Sequence, residues 1–442
     1  MQLLCPEWLL SMDNSVNALK DHAVLIDGTL IAAVGLQSDL KQQYPNATKI
    51  ILNNQVLMPG LINCHTHAGM TLLRGAADDM PLQDWLQKRI WPLEGKLADA
   101  EFVYDSTILA CAEMIRGGTT FFNDMYFFPE QTARAATQMG IRVMASILSI
   151  EFPTRYGSGP DEYIEKGLAA RDQYSGHSLV NWSVAPHAPY TVSDETFVRL
   201  GTLAQELDIP IHCHLHETAS EVDNALKLNN QRPFERLNQL GLINEKFLAV
   251  HGVHLNEHEL KIMAQQGCTL VHCPASNLKL ASGIAPTAQA LNLGVRVVIG
   301  TDGAASNNKL DLWEEGRIAS LLAKGSSLNA TIWPAAQLLK SLTCDAATAL
   351  GFENKLGRIK PGFLADLITI EMNQQAHQAP ALEIASRLAY SGGARDVVEV
   401  WINGQQVVSK QQFLGVTAEL EADCMRKVGG LWQTRIEQLD LL

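Results

Sequence analysis

Two periodicities divide the chain. Between residue 58 and about residue 357, short β-rich runs alternate with longer stretches in which apolar residues recur at helical spacing. Ile108, Cys111, Ala112 and Ile115 fall at i, i+3, i+4 and i+7 on one helix face, and Gly117-Gly118 follow as a stop signal. The β-rich runs are Leu61–His67, Thr119–Asp124, Ile141–Leu148, Trp182–His187, Ile209–His216, Phe247–His254, Thr269–Cys273 and Val295–Asp302. Parallel neighbours need crossovers of about a dozen residues or more, and each gap is long enough for one. Eight such units predict an α/β fold of the (β/α)8 TIM-barrel type. A doubly wound open sheet is the alternative, but no Gly-x-Gly-x-x-Gly phosphate loop follows an early run to support it.

The chain ends lack this alternation. Residues 1–57 read as short strands and turns, with Ala23–Ile26 and Leu30–Val34 joined through Asp27-Gly28, a hairpin signal. The same texture returns beyond Gly357, in Ala365–Ile370 and in Val397–Ile402 leading into Asn403-Gly404. One small composite β-sandwich domain is therefore expected from residues 1–57 and 358–410, flanking a barrel of residues 58–357. Residues 411–442 read as a C-terminal helical segment.

Composition narrows the partners. Of the 442 residues, 47% are hydrophobic, enough for a substantial core, and the formal net charge of −13 is spread along the chain with no Lys/Arg cluster. That balance argues against nucleic acid or an anionic membrane surface and favours a small molecule as partner. The eight Cys are scattered, contain no Cys-x-x-Cys and lie partly within apolar runs, as expected of reduced thiols in a cytoplasmic protein. No window approaches about 18 consecutive apolar residues, and no basic n-region precedes Asp13, so neither a membrane span nor a signal peptide is expected. Composition does not decide between a monomer and a homo-oligomer.

The histidines carry the chemistry. Nine of thirteen stand within or at the ends of the β-rich runs, and in a barrel the C-terminal strand ends form the active face. His65 and His67 end the first run, and residues i and i+2 of a strand share a face, so two imidazoles converge there. Taken alone, His-x-His is as readily a pair of ordinary polar residues. His187 ends the fourth run, His212, His214 and His216 the fifth, His251 and His254 the sixth, and Asp302 the eighth, with His272 near the end of the seventh. Three imidazoles and one carboxylate around an open position suit a zinc-type metal that activates water. The bland readings stand beside this one. His212 reads as an inward barrel-layer residue, His216, His254, His258 and His272 as structural, and Asp302 by itself as a turn residue before Gly303.

The chain resembles the amidohydrolase superfamily, and within it the metal-dependent aminohydrolases of heterocycles. The resemblance is carried by PGLINCHTH at 59–67, WPLEGKL at 91–97, APHAPYTVS at 185–193, HCHLHET at 212–218, VHGVHL at 250–255, HCPASNLKLASG at 272–283, GTDGAASNN at 300–308 and GRIKPGFLADL at 357–367. These pieces span nearly the whole chain in the family's order. The resemblance implies that His65, His67, His214 and Asp302 bind one divalent metal, most often zinc, with Asp302 also accepting the proton of the attacking water. Glu217 would carry that proton to the ring nitrogen, and His251 would stand beside the water or the tetrahedral carbon. His187 and Glu94 match substrate-contacting positions, Glu94 being suited to ribose hydroxyls. The implied activity is hydrolytic deamination of the adenine ring of 5′-methylthioadenosine, S-adenosylhomocysteine or both, giving the inosine analogue and ammonia.

The residues support these roles on physical grounds. Replacing an aromatic amino group requires a ring made electrophilic by protonation, hence a carboxylic acid near the nucleophile, and Glu217 reads as the only carboxylate in immediate reach of His212–His216. A second metal held by a carboxylated Lys is not expected, because the only Lys between Phe122 and Asp208 is Lys166, in a polar helical stretch. The His-x-Glu and Pro-Cys-x-x-Cys signatures of nucleic-acid deaminases are absent. Substrate choice falls to Trp85, Trp91 and Glu94 after the first run and to Glu151–Gly159 after the third. There, Arg155 is either a partner for the homocysteine carboxylate or a solvated loop residue. Other heterocycle aminohydrolases or chlorohydrolases, of guanine, adenosine or s-triazine type, are the nearest alternatives. Glu94 weighs against the guanine and triazine types, since a free base has no ribose. A non-catalytic barrel scaffold is the remaining one, against which stands a ligand set with no member missing.

Overall fold

The computed structural model describes residues 1–13, 16–372 and 383–439. Each of the eight β-rich runs contains a strand: Leu61–Thr66, Thr119–Asp124, Arg142–Ser149, Val180–Pro186, Ile211–Leu215, Phe247–His251, Thr269–His272 and Arg296–Ile299. They are called the first to eighth barrel strands below. All are parallel and neighbour one another in chain order. The ring closes where the Thr301 and Asp302 N–H groups donate to the His65 carbonyl at 3.0 and 3.1 Å. Gly300 makes this closure sterically feasible, because a Cβ there would stand 2.7 Å from the His65 Cβ and 3.0 Å from its backbone.

Several strands end earlier than the periodicity predicts. His216, His251 and Asp302 adopt φ of 54°, 71° and 61°, so the chain turns out of the sheet while its apolar and His spacing continues. Non-glycine residues in this left-handed region cost roughly 1–3 kcal/mol each and cluster where the surroundings enforce them, at functional sites above all. The helices that follow are capped at once: Thr218 accepts from Glu221 N–H, and Asn256 and Glu259 form a reciprocal capping box. Asp99 likewise caps the helix Ala100–Arg116 by accepting from Phe102 N–H.

Among the described residues, the two chain ends build one nine-stranded mixed sheet. Thr48–Pro59 is its pivot, parallel to Gln2–Leu9 on one side and antiparallel to Leu367–Glu371 on the other. A bridge from Leu30 to Leu364 brings the far edge back beside the C-terminal half. The rolled sheet thus encloses a core in which Leu4, Ile26 and Ile31 pack with Ile359, Leu367 and Trp401. Residues 373–382, within the expected second part of this unit, lie outside the described residues, as do the last three residues of the expected C-terminal helical segment.

Pro59-Gly60 carries the chain from this sheet into the first barrel strand. A Cβ on Gly60 would stand 2.1 Å from the Thr120 hydroxyl, so only glycine passes there. The junction is fastened by Arg142, on the third barrel strand, whose Nε and one terminal nitrogen each lie 3.0 Å from the two carboxylate oxygens of Asp366. Both side chains are buried, and a bidentate pair of this kind leaves neither charge uncompensated. Val416–Lys427 and the turns after it return to the barrel, where the Trp432 indole donates to Asp105 at 2.9 Å. Trp432 then shares an apolar cluster with Leu82, Trp85, Leu86, Ile90 and Leu93.

Candidate active site

Four side chains meet at the C-terminal mouth of the barrel. His65 and His67 arrive from the first strand, His214 from the fifth, and Asp302 from the turn after the eighth, and one ligand-type atom from each lies within 4.8 Å of all the others. Asp302 Oδ1 stands 3.3 Å from His65 Nε2 and 3.2 Å from His67 Nε2, and His214 Nε2 stands 3.3 Å from His65 Nε2.

The outward-facing atoms are engaged elsewhere. His67 Nδ1 donates to the Met125 carbonyl at 2.5 Å, and His65 Nδ1 lies 2.8 Å from His212 Nε2. Asp302 Oδ2 accepts from the Ser276 and Ser306 hydroxyls at 2.6 and 2.7 Å. This is the arrangement in which outer partners fix ring orientation and leave the inner atoms free for a cation.

Electrostatics agree with the geometry. Burial pushes the His65 imidazole down to about 3 and holds His214 well below the usual histidine range, so both stay neutral as metal ligands must. Burial opposes ionisation of Asp302 too, but the hydrogen bonds from His65 and His67 outweigh it and hold the carboxyl well below its ordinary value. His67, only partly buried, differs: against the lowering effect of burial its bonds to Asp302 raise the imidazole to about 9, so it gives up a proton on ligating. With that proton displaced, three imidazole nitrogens and one ionised oxygen fit a divalent ion by donor type and number.

A cavity of about 290 Å³ opens onto this cluster. His187, Glu217 and His251 line it beside His67, His214 and Asp302, and Glu94 lines it as well. Glu217 Oε2 lies 3.8 Å from His251 Nε2, and burial raises the Glu217 carboxyl above its usual value. His251 stacks at 5.3 Å on His214 while its Nδ1 donates to Asn277 Oδ1 at 2.9 Å. His187 packs edge-on against His214 at 4.9 Å, its Nδ1 is 2.9 Å from the Thr191 hydroxyl, and burial lowers it to about 3.

Glu94, on the helix Trp91–Leu97, accepts from the Tyr126 hydroxyl at 2.7 Å. Desolvation lifts its carboxyl to about 7 against the lowering effect of that hydrogen bond. The rest of the wall is apolar and aromatic, with Met70, Leu82, Trp85, Leu86, Ile90, Trp91 and Phe152. Arg155 reaches the same cavity from the loop after the third strand. Its guanidinium donates to the Lys96 carbonyl at 2.7 Å and pairs with Asp99 at 3.3 Å.

One expectation needs correcting. Glu217 does not stand alone near the fifth strand, for Glu221 lies one helical turn on and is buried. Its two oxygens accept from His216 N–H and Glu217 N–H at 3.0 and 2.9 Å, so it orients the backbone carrying Glu217 rather than facing the cavity. Lys166 lies on the helix Pro160–Gln173, paired with Glu162, away from the cluster. His216 and His254 are tied into structure, the first by Phe234 N–H at 3.1 Å and the second to the Ser282 carbonyl at 2.9 Å. Among residues that spacing does not single out, Tyr126, Ser276, Asn277 and Ser306 each bond directly to a site side chain.

A parallel barrel with a buried three-His, one-Asp cluster beside an acid-lined cavity defines a metal-dependent hydrolase scaffold, and residues 56–407 match the amidohydrolase family, to which the chain belongs. A 5-methylthioadenosine/S-adenosylhomocysteine deaminase of Saccharophagus degradans is 40% identical over 437 residues, covering 98% of this chain and 96% of that one. The protein of the same name from Thermodesulfovibrio yellowstonii is 42% identical over 412 residues, 92% of this chain and 94% of that one. Among solved structures, an adenosine deaminase from Xanthomonas campestris with bound zinc superposes with a TM-score of 0.93 at 40% identity, covering 99% of each chain. No helix among the described residues is long and apolar enough to cross a membrane, and all eight Cys are buried and free.

Proposed function

We propose that the protein hydrolytically deaminates the adenine ring of 5′-methylthioadenosine, and of S-adenosylhomocysteine more slowly, giving the inosine analogue and ammonia. The observation that carries this reading is one cavity holding the three-His, one-Asp cluster, the Glu217–His251 pair and, in its wall, Glu94 with a carboxyl suited to accept from ribose hydroxyls. The names of the relatives point to the same nucleosides.

His65, His67, His214 and Asp302 would hold a single ion, most readily zinc. When bound, that ion supplies Lewis acidity that lowers the pKa of water from about 15.7 to about 7. Asp302 accepts a proton from the attacking water. Glu217, kept protonated more readily by its burial, donates to the ring nitrogen beside the carbon under attack. Water thus adds across the C=N bond, and His251 hydrogen-bonds the new oxygen at the tetrahedral carbon. The proton taken by Asp302 passes to the exocyclic nitrogen, ammonia leaves as the C–N bond breaks, and the hydroxyl proton returns to Glu217 as the carbonyl forms. His187 contacts the ring, and Glu94 anchors the sugar.

We also infer that residues 58–357 form the hydrolytic unit, residues 1–57 and 358–410 its β-flank, and that within residues 411–442 the helical part from Val416 to Glu437 braces the cavity wall, the strand Gln412–Phe413 belonging to the sheet. Ammonia release from 5′-methylthioadenosine, S-adenosylhomocysteine, adenosine, guanine and cytosine tests the function. Turnover fastest with methylthioadenosine supports it, and turnover confined to guanine or cytosine overturns it.

A further inference from the structure

Among the described residues, the end of the cavity where Arg155 stands has no other Lys or Arg in its lining, and each terminal nitrogen of Arg155 already makes one bond within the protein. Of the other formally charged residues lining the cavity, Glu94, Glu217 and Asp302, all are acids. Arg155 gives one terminal nitrogen to the Lys96 carbonyl at 2.7 Å and the other to Asp99 Oδ2 at 3.3 Å. Lys96 O belongs to the last turn of the helix Trp91–Leu97, where the helix dipole is negative, so both partners attract the guanidinium. Asp99 is itself held in place because its Oδ1 caps the next helix at Phe102 N–H, 3.0 Å away. What remains at that end is Trp85, Leu86, Ile90, Trp91 and Phe152, with the Trp91 and Phe152 rings 5.5 Å apart.

We propose that Asp99 sets the preference among 5′-thioadenosines by holding Arg155 out of substrate recognition. The cavity then takes the uncharged methylthio nucleoside ahead of the nucleoside bearing a homocysteine carboxylate. A methyl thioether buries against the aromatic wall without cost. A carboxylate entering there loses water and finds its one complementary fork already engaged by Asp99 and the helix end. Releasing that fork turns the same wall into one that binds an anionic 5′ substituent. This inference rests on the deaminase reading above.

The test compares kcat/KM for S-adenosylhomocysteine and methylthioadenosine in the zinc-loaded full chain and in Asp99→Asn, Arg155→Gln and the double variant. Asparagine caps a helix as well as aspartate does, so Asp99→Asn removes the charge while keeping the bond to Phe102. The ratio of S-adenosylhomocysteine to methylthioadenosine is expected to rise about fivefold in Asp99→Asn, the size of a partly exposed ion pair gained. It stays within about twofold of the unaltered protein in Arg155→Gln and returns to that value in the double variant, as expected for two coupled residues. A ratio unmoved in Asp99→Asn, or one that falls about fivefold in Arg155→Gln, overturns the role given to Asp99 while methylthioadenosine turnover persists. Absence of turnover with either nucleoside in the unaltered protein overturns the deaminase reading itself.

Discussion

The two halves of the cavity are built differently. The half that holds the cluster is made of strand ends: His65, His67 and His214 stand on or directly after barrel strands, and the outer atoms of His65 and His67 are tied to His212 and Met125. The half that would choose the substrate is made of helix turns and loops, with Glu94 on Trp91–Leu97, Tyr126 just past the second strand, and Arg155 in the loop after the third. Strands placed by a closed hydrogen-bonded ring cannot shift singly, whereas helix turns in a wall are adjustable one side chain at a time. On the roles proposed for these residues, the difference separates what sets the reaction from what sets the substrate.

That separation is open to breaking, most sharply in the strand-built half. His214→Ala is expected to lose the metal, read by elemental analysis, and to lower kcat/KM by about 10⁴-fold or more for every substrate alike. Glu217→Gln is expected to keep the metal and lower kcat by about 10²–10⁴-fold, again without substrate bias. Near-normal turnover in Glu217→Gln would remove the proton carrier from the account.

The loop-built half should respond through KM. In Tyr126→Phe, Glu94 loses the hydrogen bond that aims it, and KM for methylthioadenosine is expected to rise about fivefold with kcat little changed. An equal fall in kcat would place Tyr126 with the chemistry instead. The smallest effect is on pH. Desolvation lifts the Glu94 carboxyl to about 7, and on the sugar-anchoring role proposed for it protonation on the acid side removes acceptor capacity. KM is therefore expected to rise about threefold from about pH 8 to about pH 6, and a substrate analogue lacking both ribose hydroxyls should show no such rise.

Legibility in the sequence follows the same division. The barrel was readable because eight apolar runs recur with helix-length gaps, and its cluster because imidazoles recur at the ends of those runs. The left-handed turns at His216, His251 and Asp302 were not, since side-chain spacing carries no record of φ. Ser276, Asn277 and Ser306 lie within motifs that mark the site, yet nothing in their spacing says that two hydroxyls converge on Asp302 Oδ2. Tyr126 stands 32 residues from Glu94, and Asp99 stands 56 from Arg155, on separate segments whose approach only the folded chain defines. Glu221 escaped because its partners are backbone N–H groups, which every sequence has.

The central claim is that water carried to the adenine ring replaces its amino group. Methylthioadenosine turned over in ¹⁸O-labelled water by the zinc-loaded protein tests it, with the nucleoside product read by mass spectrometry and ammonia counted. One ¹⁸O atom on the purine base of methylthioinosine, as the carbonyl replacing the amino group, for each ammonia released is the expected result. Free adenine or methylthioribose, or label absent from the ring, would contradict it.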